Sequence, residues 1–169
     1  WLRYSNPPMT NLRSSNGSLI DTNGCVALLV LSGFAVATIN FEKRILRKGD
    51  FVLLFYDSTF SMLSISAAFS VRYVSFAYHL IEEAIYKPLS INFWNTIYSN
   101  PVFRPNERDF KLLVEWWYQM EWVNNIKDYD YQEEILKNNI RNLLVATDIE
   151  IMDHAGDSLR NSRGHAWML

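Results

Sequence analysis

The chain has 169 residues, of which 49% are hydrophobic, 15% aromatic and 20% charged. This length fits one domain, or a compact domain with a helical appendage, and the apolar content excludes wholesale disorder. Sixteen Lys and Arg against eighteen Asp and Glu give a formal net charge of −2. Nucleic-acid-binding modules usually carry a basic patch or a high pI. If the protein acts on DNA, we expect the residues that touch DNA to lie outside this chain.

The stretch from Thr22 to Phe41 contains no charged residue, and its length is near the ~20 residues that a membrane-spanning helix needs. However, Ser32-Gly33 interrupts it at the centre, and Val, Ile and Thr are frequent on both sides. These features predict two buried strands joined by a tight turn at Gly33, a hairpin, rather than a membrane helix. The chain begins without a basic-then-apolar leader, so we expect no signal peptide and a cytoplasmic location. The single cysteine, Cys25, lies in an apolar run and is expected to be buried.

Residues 1–17 are rich in Pro and Asn, which predicts an N-terminal arm. Residues 18–76 then show short apolar runs split by polar turns, which favours a sandwich or barrel over alternating strands and helices. Continuous apolar runs further indicate strands buried on both faces. The predicted strands are Cys25–Leu31, Phe34–Ile39, Glu42–Leu46 (an outer strand), Phe51–Tyr56, Phe60–Ile65 and Phe69–Phe76.

Residues 77–153 have helical spacing. Two short helices are predicted at Ala77–Tyr86 and Phe93–Tyr98. A long helix follows from the N-cap Asn106 to about Asn125, and another covers about 130–153. The short link predicts an antiparallel helical hairpin.

The apolar face of this hairpin is wider than one contact with the β unit would hide, and each aromatic side chain can bury ~150–250 Å². We therefore expect a homodimer through these helices. The candidate dimer-interface residues are Phe110, Leu113, Trp116, Trp117, Met120, Leu136, Ile140 and Leu143. Residues 154–169 are polar and rich in small residues, and they are expected to be a linker.

No residue pattern indicates catalysis. His79, His154 and His165 all lie in predicted helices or in the tail, no two of them at i, i+4, and no Cys/His cluster suggests a metal site. There is no G-x-S-x-G nucleophile motif and no phosphate-binding glycine loop. We therefore expect no catalytic residue, no metal, no cofactor and no enzymatic activity.

Arg72 is the charged residue within the last predicted strand. Alternation places it with Val74 and Phe76, opposite Phe69 and Tyr73. It could pair with an anionic ligand if that face points inward; an exposed face or an ion pair with the helices is the alternative. The candidate ligand-pocket residues are Phe55, Phe69, Arg72 and Tyr73.

The turn Lys48-Gly49-Asp50 leading into Phe51–Tyr56 resembles the cupin-type barrel of AraC-type transcription regulators. The stretch 72–80, followed by Phe93-Trp94 and residues 100–103, resembles their passage from barrel to helices, and the hairpin of about 107–153 is similar to their dimerisation element.

This resemblance implies an α+β fold, a cupin-like β-barrel (double-stranded β-helix) over 18–76 followed by a helical dimerisation region over 77–153. It implies a domain that senses an unknown small-molecule effector and controls a helix-turn-helix DNA-binding domain beyond residues 154–169. The enzymology of metal-binding cupins does not transfer, because clustered histidines are absent from the sequence. Two alternatives stay open: a cupin-fold enzyme (an isomerase or sugar-modifying enzyme) and a pure dimerisation module.

Overall fold

The computed structural model describes residues 2–4 and 24–167, with side chains described from 24 to 154. The strands are β1 Leu2–Tyr4, β2 Gly24–Ser32, β3 Phe34–Ile39, β4 Glu42–Arg47, β5 Phe51–Leu54, β6 Phe60–Ile65, β7 Ser70–Ala77 and β8 Val102–Phe103, and the helices are α1 Tyr78–Ala84, α2 Phe93–Ser99, α3 Glu107–Asn124 and α4 Tyr129–Trp167. Apart from β1, the predicted arm over residues 1–17 lies outside the described residues.

The strands form two antiparallel sheets, a five-stranded sheet with the order β1-β7-β2-β5-β8 and a three-stranded sheet with the order β4-β3-β6. Side chains of both sheets meet in one buried apolar cluster, so the sheets face each other. The α+β class is therefore confirmed, whereas no closed barrel joins the described strands, and the cupin barrel is not confirmed.

The turn at Gly33 is present, but the hairpin predicted around it is wrong. Strand β2 pairs with β5 and β7, and β3 pairs with β4 and β6. Gly33 adopts a φ of +69°, and a Cβ at this position would come within 2.5 Å of the backbone N of Phe69. Gly33 is thus a tight corner at which the chain passes from one sheet to the other, and each flanking strand gains two partners instead of one.

Strand β2 is buried on both faces, as its continuous apolar run predicts. Val26, Leu28 and Val30 point between the sheets. The alternating residues, among them Ala27 and Leu29, point to the helices on the opposite side. The large sheet is thus the middle of three layers, with the small sheet on one face and the helices on the other. By contrast, β4 lies at an edge of the small sheet and is mostly exposed, which confirms it as an outer strand.

The turn before β5 is held by its own polar groups. The Asp50 side chain is buried and accepts a 2.9 Å hydrogen bond from the backbone N–H of Arg47. The Gly49 N–H donates to the carbonyl of Val30, and the Val30 N–H donates to the carbonyl of Asp50, both at 2.9 Å. Gly49 has a φ of +91°, which favours glycine. The turn therefore fixes the start of β5 against β2.

Helix α3 begins as predicted, because the Asn106 side chain accepts a 2.9 Å hydrogen bond from the backbone N–H of Asp109. The link to α4 is short, and two cross-helix bonds join Trp116 to Asn139 and Gln132 to Val123. Trp116 precedes Val123 on α3, whereas its partner Asn139 follows Gln132 on α4. The two helices therefore run in opposite directions, which confirms the antiparallel hairpin.

Helix α4 is longer than predicted. It does not end near Asp153 but continues to Trp167, so the segment predicted as a linker has a helical backbone. At 1.5 Å per residue, its 39 residues extend roughly 58 Å. Among the described residues, none of the helices is long and apolar enough to cross a membrane.

Candidate functional site

The structure does not bring the four predicted pocket residues together. Phe69 and Tyr73 lie in or against the apolar cluster between the sheets. Phe55 lies on the helix side, where its ring contacts Trp94 of α2 at a centroid distance of 4.4 Å. Arg72 also faces the helices. The alternation predicted for β7 is therefore confirmed, and it separates these residues onto two faces of the sheet.

Arg72 contacts helix α3 through aromatic rings. Its guanidinium carbon lies 4.3 Å from the ring centroid of Trp117 and 4.9 Å from that of Tyr118. The indole N–H of Trp117 donates to the Tyr73 carbonyl at 3.2 Å. The Nε and Nη1 of Arg72 are buried without a hydrogen-bond partner. These contacts give Arg72 a structural role, because cation–π stacking against desolvated rings attaches α3 to β7.

Most of the predicted dimer-interface residues are covered within one copy of the chain. The buried ones are Trp117, Met120, Leu136, Ile140 and Leu143, all in the cluster between the large sheet and the helices. Phe110, Leu113 and Trp116 are partly buried against the same cluster. Because the first five residues are buried within one copy, they need no partner chain to cover them.

A groove opens on the helix side of the large sheet, near the edge strand β8. It encloses about 900 Å³ between β5, β8, α2, α3 and α4. Phe51 and Phe103, whose ring centroids are 6.1 Å apart, lie along the β wall. The other apolar lining residues are Val102, Pro105, Leu112, Leu113, Trp116, Leu143, Ala146, Ile149 and Ile151. This volume lies within the range of small-molecule pockets, about 300–1,000 Å³.

Each carboxylate or guanidinium that lines the groove has an ionisable group of opposite sign within 4 Å, and the partner of Glu150, His154, carries its charge only when protonated. The Nε of Arg104 lies 3.6 Å from Oδ1 of the buried Asp50. Asp109 pairs at 3.5 Å with Arg108, which points into solvent. On α4, Oε1 of Glu150 lies 3.0 Å from Nε2 of His154, one turn further along the helix.

Some uncharged polar groups of the groove already form hydrogen bonds within the chain, and others do not. The Trp116 indole N–H donates to the Asn139 carbonyl at 3.0 Å, and the Thr147 hydroxyl donates to the Leu143 carbonyl at 2.8 Å. The hydroxyl of Thr96 and the amides of Asn100 and Asn142 also line the groove. Within the described residues, these three side chains form no hydrogen bond to another residue. The groove thus offers a mainly apolar wall with a few free neutral donors and acceptors.

The described residues provide little chemistry for catalysis. Residues 24–154 contain no group of three His, Cys, Asp or Glu side chains that could hold a metal ion. Cys25 is fully buried, and burial raises the pKa of its thiol well above the ordinary value. A thiol in this state is a poor nucleophile.

Sequence reasoning did not find the groove, because its walls come from five separate elements. Two local signals bear on it. Pro101 and Pro105 isolate the Val102-Phe103 pair as a short edge strand. On α4, Asn142 and Ala146 lie one turn apart, are smaller than the Leu and Ile side chains around them, and both line the groove.

No protein-family model matches the chain, and no curated protein matches it by sequence. Among solved structures, an apo variant of ToxT from Vibrio cholerae superposes with a TM-score of 0.52 at 15% identity, covering 78% of this chain and 49% of ToxT. Another ToxT structure gives a TM-score of 0.42, and ToxT bound to (E)-4-(8-methylnaphthalen-1-yl)but-3-enoic acid gives 0.39, both at 16% identity. ToxT is an AraC-family regulator, and its N-terminal domain resembles this chain. The chain spans about half the length of ToxT, and the likeness is one of fold.

Proposed function

We propose that this chain is the regulatory domain of an AraC-type transcription regulator, and not an enzyme. In this role it binds a small-molecule effector, self-associates as a homodimer and controls an attached helix-turn-helix DNA-binding domain, which implies a cytoplasmic location. The groove of about 900 Å³ is the observation that carries the sensing role. The fold shared with ToxT supports the regulatory context.

The groove is suited to pass a signal along the chain because α4 forms one of its walls. Ile149, Glu150, Ile151 and His154 line it, and the same helix continues without a break to Trp167. A ligand that touches both α3 and this part of α4 stabilises one orientation of the distal helix over others. Such a ligand shifts the equilibrium only by its difference in affinity between the two states.

Self-association needs a surface other than the buried side chains of α3 and α4. Helices α3 and α4 also carry exposed apolar side chains, with Tyr118 51%, Trp122 59% and Met152 50% exposed. A dimer built on α3 and α4 would cover these side chains, together with the partly buried Phe110, whereas Leu113 and Trp116 line the groove. The revised candidates for the dimer interface are Phe110, Tyr118, Trp122 and Met152.

A pure dimerisation module is the second candidate function, favoured by the packing between the two sheets. There, buried Val, Leu, Ile, Met and Phe side chains from both sheets contact one another directly, so this space is filled by the protein itself. If effectors bind only between the sheets in AraC-type domains of this shape, this chain would not sense anything. The two candidates differ in whether the helix-side groove accepts a ligand.

A thermal-shift screen of a small-molecule library distinguishes them. Ala146→Trp fills the groove from an exposed position on α4, and Glu115→Trp places the same side chain at an exposed position on α3 outside it. At a ligand concentration of 100 Kd, binding adds about 2.7 kcal/mol, which raises the Tm by roughly 5 °C or more. The sensing role predicts compounds that stabilise the wild type and Glu115→Trp but not Ala146→Trp. A screen without such compounds would favour the dimerisation module.

A further inference from the structure

The charges around the groove indicate which kind of molecule it accepts. A charged ligand that leaves water needs an opposite charge in its site that is not already neutralised, because an ion buried without a counter-charge is costly. Arg104 faces Asp50, and Glu150 faces His154, which supplies a counter-charge when its imidazole is protonated. Asp109 faces Arg108 on the outside of α3. The partial positive charge at the N-terminus of α3 faces the acidic residues of its first turn.

The free polar groups of the groove are all neutral. Thr96 and Asn100 of the α2 end and Asn142 of α4 offer a hydroxyl and two amides. Neutral donors and acceptors of this kind pair well with a hydroxyl, ketone, ester or amide on a ligand. They leave a carboxylate or an ammonium group without compensation for its lost hydration.

We infer that the groove between β5, β8, α2, α3 and α4 selects an uncharged, mainly apolar molecule that carries a neutral hydrogen-bonding group, and discriminates against anions and cations of the same skeleton. This inference rests on the proposed function and adds the chemical class of the effector. The described lining of the groove has no unpaired charge to offer, so it discriminates by disfavouring ions. It does not depend on one particular attractive contact with the ligand.

The experiment uses three probes that share one skeleton: 4-phenylbutan-1-ol, 4-phenylbutanoate and 4-phenylbutylammonium. Dissociation constants are measured at pH 7 from amide chemical shifts of the chain, which also locate the binding residues. The alcohol is expected to bind tightest, with shifts in residues 100–116 and 142–154. Each ion should bind at least about tenfold more weakly, because no free counter-charge replaces its water. Ala146→Trp should abolish these shifts, and Glu115→Trp should leave them unchanged.

Different results overturn different parts. If an ion binds as tightly as the alcohol, with shifts in the groove, the ligand class is wrong and the proposed site stands. If no probe shifts the groove residues, or if Ala146→Trp does not reduce binding, the proposed site itself is wrong. If sedimentation shows that Ala146→Trp turns a dimer into a monomer, the groove is occupied by a second copy and the inference is also wrong.

Charge variants at the rim give a second measurement. Asp109→Asn removes a negative charge from the lining of the groove, and it should improve binding of the butanoate relative to the alcohol by a few fold. The exposed Glu115 lies on the same helix but does not line the groove, so Glu115→Gln should leave that ratio unchanged. An unchanged ratio in Asp109→Asn would contradict the role given to the paired charges.

Discussion

Met120 and Trp122 test which face of α3 belongs to the core. Met120 is fully buried in the cluster between the large sheet and the helices, whereas Trp122, two residues later, is 59% exposed. Replacing a buried Met by Ala removes its transfer free energy and leaves a cavity, which costs about 2–5 kcal/mol. This is a large part of a typical stability of about 5–15 kcal/mol. Met120→Ala should therefore destabilise the chain severely, and Trp122→Ala should not.

Urea unfolding at two protein concentrations measures the difference. With a slope of about 1–3 kcal/mol per M, Met120→Ala should lower the midpoint by roughly 1–2 M at both concentrations. Trp122→Ala should leave the midpoint of the monomer nearly unchanged and weaken self-association in sedimentation experiments. A Met120→Ala variant that unfolds like the wild type but dissociates more readily would refute this placement of α3.

Three further predictions follow from single contacts. Asn106→Ala removes the N-cap of α3 and should lower the free energy of unfolding by about 1 kcal/mol in chemical denaturation, whereas Asn106→Ser retains most of it. The 2.9 Å hydrogen bond between Glu83 and Lys137 lowers the pKa of Glu83 and raises that of Lys137. Its contribution to stability should therefore disappear as the pH falls through the lowered pKa of Glu83, or rises through the raised pKa of Lys137; Lys137→Met should make both slopes in a plot of Tm against pH shallower. Cys25 should react with a thiol reagent at pH 8 only after unfolding, because its sulfur is buried; rapid labelling of the native chain would contradict its position.

Features governed by local chemistry could be predicted from the sequence. The Asn106 cap and the first-turn acids set the start of α3 whatever α3 packs against. The double burial of β2 follows from its unbroken apolar run, and the exposed edge strand β4 follows from its mixed charge. The turn before β5 was recognisable because Gly49 and Asp50 act within a few residues of each other.

Features decided by distant contacts could not be predicted. A glycine corner is compatible with both a hairpin and a passage between sheets, and only the partners of β2 and β3 distinguish the two. Trp116, Trp117 and Trp122 look alike in sequence, yet the sheet covers Trp117 and leaves Trp122 exposed. The sequence therefore predicted correctly that most of the apolar residues on α3 and α4 are buried. They are covered by the sheet of the same chain, not by a second copy as predicted.

The groove could not be predicted from the sequence for the same reason. Phe51 and Ala146 are nearly a hundred positions apart, and neither has a neighbour in sequence that suggests a ligand. The length of α4 was also underestimated, because a polar composition after residue 153 is as typical of a solvated helix as of a linker.

Hydrogen–deuterium exchange with a compound from the thermal-shift screen tests the sensing role most directly. Effector binding in the groove should slow exchange at amides of residues 142–154 on α4 and 109–116 on α3, where the lining residues lie. Protection confined to residues 26–30 and 69–73, whose alternate side chains face the space between the sheets, would place the ligand there and contradict the proposed site.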